Sequence, residues 1–210
     1  MTYCESGTRK SGVQRGLVGC LSMISLLSAA CVGGRPIHYY TINRPAATAV
    51  AAQADGLVLL VGRIATPETL EDDRISYRAG SNEVGAYEYH RCVERPAAMV
   101  RDCLVQALRA SGKYRQVQEA ATDVKGDYLI RGKLYAFSEV DQPGIETRVS
   151  LQLEAVDNKT GLVVWDNRYN RDEPVKGKAM NDVVMSLDHN LQQVIAEAAS
   201  AIETAVSNRK

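Results

Sequence analysis

The chain has 210 residues, 25 basic and 25 acidic side chains and a formal net charge of +0. That balance excludes a broad basic face for nucleic acid. The length allows one domain with a sizeable core once any leader is set aside.

Residues 1–30 have the layout of a secretory signal. Arg9, Lys10 and Arg15 form a basic segment, and an almost uncharged apolar run from Gly16 follows it. The run ends in the small residues Ser28-Ala29-Ala30 before Cys31. At about fifteen residues it falls short of the roughly twenty a permanent transmembrane helix needs. Small residues directly before a cysteine resemble the bacterial lipobox, in which the thiol receives a diacylglycerol. The usual leucine three places before the cysteine is Ser28 here, with Leu27 one place further back. Leu17-Val18-Gly19-Cys20 matches the letters better, but only polar and basic sequence precedes it. Cys31 is therefore the expected lipidation site, and its acyl chains the expected membrane anchor. Val32 stands where an aspartate would signal inner-membrane retention, which favours the outer membrane.

Residues 31–36 read as a lipidated tether and 37–210 as the folded body. Ile37–Ile42 is a first predicted strand. A small-residue linker (43–54) and the apolar run Leu57–Ile64, suited to a strand buried on both faces, come next. Ile75–Arg78 and Val84–His90 flank the turn residues Ala79–Asn82, as a hairpin or an excursion from the main sheet. Pro96 opens a helix whose apolar residues Met99, Val100, Cys103, Leu104, Ala107 and Leu108 recur at three- and four-residue spacing, and Gly112 ends it. Tyr114–Val117 is a short strand. Tyr128–Phe137, Arg148–Val156 and Leu162–Tyr169 alternate as strands with one wet face, the last two joined by a turn at Asp157–Gly161. Val184, Leu187, Leu191, Val194, Ile195, Ala198 and Ile202 stripe a long final helix. This order predicts an α+β single domain: a mostly antiparallel sheet with two helices packed on one face.

No catalytic, cofactor or metal motif emerges. His38, His90 and His189 are scattered, no HExxH or GxSxG occurs, and Asp72-Asp73 sit in a turn that points neighbours apart. His90 and Cys92, two apart on one strand face, read as a half-exposed histidine beside a buried thiol. Trp165 reads as sheet core. Cys92 and Cys103 are an even pair in an oxidising compartment, so a disulfide is one reading. The other is two separately buried thiols, because Cys103 lies two turns into the helix that Cys92 precedes. The densest polar-aromatic stretch is Tyr77–Pro96. There Tyr87 and Tyr89 are expected on one strand face and Glu88 and His90 on the other, with Arg78, Arg91 and Arg95 nearby. Arg78, Tyr87, Tyr89, His90 and Arg91 suit a partner interface, since aromatics and arginines bury area yet still form polar contacts. An ordinary solvated strand with tyrosine rims is the alternative.

The lipobox, the Tyr39-Tyr40-Thr41 strand, Pro67/Leu70, Ile75-x-Tyr77-Arg78 and Tyr87-x-Tyr89-His90-Arg91 leading to Glu94-x-Pro96 resemble the ABC-type transport auxiliary lipoproteins. Members often carry tryptophan after the Tyr-His-Arg run, where this chain has Cys92. The resemblance implies a non-catalytic, periplasm-facing outer-membrane lipoprotein. It would dock a periplasmic MCE-domain (mammalian cell entry) partner of the paraquat-inducible type, in a system moving lipids or other hydrophobic substrates between membranes. A structural or assembly lipoprotein of another envelope machine, such as a secretion pore, is the alternative. A homo-oligomer through the tether and tyrosine strand stays open.

Overall fold

A computed structural model describes residues 34–44, 56–121, 123–141 and 143–207. The expected leader, Cys31, tether residues 32–33 and linker residues 45–54 lie outside the described residues. The chain divides after Pro36, and all elements below belong to the unit Ile37–Lys210.

The elements are β1 (His38–Tyr40), β2 (Val58–Ala65), a 3₁₀ turn (Glu68–Leu70), β3 (Arg74–Ala79), β4 (Glu83–Cys92), α1 (Pro96–Ala110), β5 (Gln116–Glu119), β6 (Tyr128–Asp141), β7 (Ile145–Asp157), β8 (Val163–Pro174) and α2 (Met180–Ser207). The fold class is the predicted one, an α+β domain with a mostly antiparallel eight-stranded sheet. The long ladders β6–β7, β7–β8 and β3–β4 are antiparallel. Four shorter seams, β1–β4, β2–β5, β2–β6 and β3–β6, are parallel. Parallel neighbours need a crossover, and α1 supplies it between β2 and β5.

β6 is the branch point. Its first half pairs β2 from Leu59↔Tyr128 to Ala65↔Lys133, and its far end pairs β3 from Ser76↔Ser138 to Ala79↔Asp141. The sheet therefore forks, with β2 and β5 on one limb and β3, β4 and β1 on the other. The β3–β4 hairpin is part of the main sheet, not an excursion from it.

Alternation along β7 sends Val149, Leu151, Leu153 and Ala155 inward, each fully buried. On the wet face, Arg148 grips Asp172 through two hydrogen bonds of 2.6 and 2.7 Å, and Arg131 pairs with Glu154. The Tyr135 ring there carries Lys133 at 5.0 Å and Arg168 at 4.2 Å from its centroid. Gly132 is required where the chains crowd: a Cβ there would lie 2.2 Å from the Gln152 carbonyl oxygen.

α1 begins at Pro96 and is followed by Gly112 at φ 66°, a left-handed conformation that ends a helix without strain only for glycine. It buries Met99, Val100, Cys103, Leu104, Val105 and Leu108. α1 packs on β2 and β5, α2 packs on β6, β7 and β8, and the two helices touch each other. α2 buries the expected stripe, with Val184 partly buried against the core and Val183 (3 % exposed) joining it. One polar inlay interrupts it. Fully buried Asn190 donates to the carbonyls of Thr147 (3.1 Å) and Arg171 (3.0 Å), and Thr147 Oγ1 meets Ser186 Oγ at 2.8 Å. Trp165 is half-buried against the same core, as expected of a sheet residue.

Candidate functional site

The tyrosine-rich stretch folds onto the outer limb of the fork. β1 is the end strand there, paired in parallel with β4 so that His38 faces His90, Tyr39 faces Arg91 and Tyr40 faces Cys92. The β3–β4 register jumps between Arg74↔Arg91 and Ser76↔Ala86, so two residues of β3 span five of β4. The extra β4 residues break the two-residue repeat. This overturns the expected faces: Tyr87 and His90, predicted on opposite sides, meet edge to face with ring centres 5.9 Å apart.

A continuous ring cluster results. His38 and His90 stack at 5.5 Å and 19°, Tyr40 lies 5.8 Å from His90, and Tyr77 lies 5.0 Å from Tyr87. Tyr40 Oη and His90 Nδ1 share a hydrogen bond of 2.9 Å. Tyr87 donates to Glu139 Oε2 at 3.0 Å, and Glu139 is only 6 % exposed. Burial pushes the Glu139 carboxyl above its ordinary range, partly offset by the Tyr87 hydroxyl. Burial likewise lowers the His90 imidazole, and neighbouring His38 lowers it further. Gly85 completes the cluster, because the Tyr77 ring lies where a Cβ would be, 2.4 Å away.

The predicted interface residues divide accordingly. Tyr87 and His90 join the ring cluster. Arg91 pairs with Asp73 at 2.8 Å, while Asp72 binds Arg74 instead, so the two adjacent carboxylates do point apart. Arg78 donates to the Ser81 carbonyl at 3.2 Å and braces the hairpin turn. Tyr89 is half-buried. Three apolar or aromatic residues near this edge but outside the predicted set are exposed: Tyr39 (60 % exposed), Val93 and Ile37. The Tyr39-Tyr40 doublet was visible in sequence as a strand. That Tyr39 would border Arg91 depended on the β1–β4 pairing.

Cys92 and Cys103 are free in this structure and each is buried. Burial pushes Cys92 up to about 12, with Asp73 adding to it, and burial pushes Cys103 up to about 11. Such thiols are poor nucleophiles. Among the described residues no group of three or more His, Cys, Asp or Glu side chains could hold a metal ion. No described helix is long and apolar enough to cross a membrane. What the limb offers chemically is contact area with an aromatic and arginine character.

Comparison with known proteins adds identity to this geometry. The family described as ABC-type transport auxiliary lipoprotein component matches residues 40–199. No curated protein matches the sequence. Among solved structures, a protein from Xanthomonas campestris is 19% identical over 82% of this chain and 97% of its own, with a TM-score of 0.70. An uncharacterised protein is 14% identical over 80% and 99%, with a TM-score of 0.66. A hypothetical protein from Chlamydia trachomatis is 8% identical over 72% and 98%, with a TM-score of 0.50. At these identities the likeness is one of fold.

Proposed function

The chain belongs to the ABC-type transport auxiliary lipoprotein component family, and from that premise we propose that it docks a periplasmic MCE-domain assembly at the outer membrane. Its role is non-catalytic. The transported substrate is lipid or another hydrophobic molecule, and Cys31 carries the acyl anchor.

The observation that carries this reading is the end strand β1. It leaves Tyr39 exposed opposite Arg91, which pairs with Asp73, and Ile37, just before the strand, is exposed too. Among the described residues β1 has one strand neighbour, β4. An end strand offers unpaired backbone groups as well as side chains, so a partner segment can add to it. Aromatic and arginine side chains are those that most often dominate protein interfaces. Position supports the same reading. His38 lies seven positions after Cys31. Even fully extended, that stretch spans no more than about 24 Å. A lipidated Cys31 thus holds this strand close to the membrane surface, where an assembly arriving from the periplasm would end.

The test is site-specific photo-crosslinking in cells, with the reactive group at Tyr39 and a control at Glu154 on the wet sheet face. An MCE-domain protein captured from Tyr39 and not from Glu154 is the expected result. Capture only of other envelope components, such as secretion-pore proteins, would replace docking of a transporter with the assembly role.

A further inference from the structure

Between the end of β2, the 3₁₀ turn and the start of α1 lies an open cavity of about 330 Å³. That volume is within the range of about 300–1,000 Å³ typical of small-molecule sites. Its wall carries three guanidinium groups, Arg63, Arg95 and Arg101, against one carboxylate, Glu71. Arg101 is paired with Glu119 at 3.2 Å and Asp102 at 3.5 Å, yet its Nε is buried without a hydrogen-bond partner. Among the described residues neither Arg63 nor Arg95 has an ion-pair partner. The two exposed cations therefore outnumber the one acid facing them.

A second source of positive potential meets the same cavity. Ala97 and Ala98, in the first turn of α1, also line it. That turn has no side-chain cap and no acidic residue. Pro96 brings no N–H and the Ala98 and Met99 amides donate to the Arg95 carbonyl, so what the helix start adds is its dipole, which no acidic side chain of that turn opposes. Guanidinium groups match the planar spacing of phosphate oxygens better than any other side chain.

We propose that this cavity binds a phosphate group, with Arg63 and Arg95 as its principal contacts and Arg101 behind them. The site stands apart from the β1 surface and does not depend on the docking role. The phosphate could be free or could belong to a phospholipid headgroup. In the second case Glu71 would face the headgroup ammonium.

The test is titration calorimetry on the full-length lipoprotein in a phosphate-free, non-ionic detergent. One arm uses inorganic phosphate and the other glycerophosphoethanolamine, a deacylated phospholipid headgroup. Saturable binding in at least one arm is expected. The double variant Arg63→Gln/Arg95→Gln should weaken it at least tenfold, and Arg131→Gln on the wet sheet face should leave it unchanged. Tighter binding of inorganic phosphate identifies a free-phosphate site, and tighter binding of the headgroup identifies a lipid site. No saturable binding in either arm, or binding that survives the double substitution, overturns the proposal.

Discussion

Glu139 is a carboxylate whose chemistry the fold changes through burial. Its carboxyl is buried under Tyr87, and burial holds its pKa above the ordinary value. A carboxyl raised on folding binds its proton more tightly in the folded state. Stability is then greatest below the unfolded value of about 4.3 and falls as pH rises from there through the folded value. Glu139→Gln keeps an oxygen to accept from Tyr87 but never ionises. Its melting temperature relative to the parent should rise between pH 4 and pH 7, read by thermal unfolding of the intact lipoprotein. A difference that shrinks over that range would show that the carboxylate is better solvated than its burial suggests.

The cysteines give a second prediction at this scale. With their pKa values raised to about 12 and about 11, the thiolate fractions of Cys92 and Cys103 at neutral pH are very small. Alkylation should be about two orders of magnitude slower or more than for a free cysteine of pKa near 8.5. Mass spectrometry after iodoacetamide treatment should find both unmodified in the native protein and both modified in denaturant. A native sample in which they resist even after denaturation without reductant would reveal a disulfide.

At the scale of elements, the β3–β4 hairpin decides what the tyrosine stretch can do. Tyr77 lies across Gly85, and from there its ring reaches Tyr87. Gly85→Ala places a methyl where the ring now sits. The ring must swing away and lose its partner, an overpacking cost of about 1–3 kcal/mol. Chemical denaturation should measure that loss, and Gly144→Ala, where a Cβ meets nothing within 4 Å, is the control. An equal effect at both sites would mean that the ring cluster adds no stability. The helices pose the simpler case. α1 and α2 were readable from apolar spacing, because a helix that packs on one side repeats every 3.6 residues whatever it packs against. Val183 joins Val184 at the edge of that stripe, so the buried face of α2 is slightly wider than the spacing alone suggests.

For the whole molecule, the proposed acyl anchor at Cys31 is open to test apart from the fold. Cys31→Ala should move the protein from the membrane fraction to the soluble periplasmic fraction while leaving its melting temperature unchanged. Full transport activity from that unanchored form would remove the reason for placing the docking surface at the membrane. The net charge of +0 also hides local structure. Acids and bases pair along the wet face of β6–β8, while cations collect around the cavity at the start of α1.

Local pattern alone was enough for the strand and helix order, the α+β class and the family. Each of these depends on neighbours within a few residues or on short motifs. The expected interface was legible only as composition. Which tyrosines share a face turned on five residues of β4 spanning two of β3, a register that no single-strand alternation contains. The parallel seams, the fork at β6 and the cavity beside α1 likewise join residues far apart in the chain. Arg63 and Arg95 look like ordinary surface charges until β2 and α1 bring them to one wall. Pairing between distant strands is a property of the folded sheet, so only the tertiary structure could decide it.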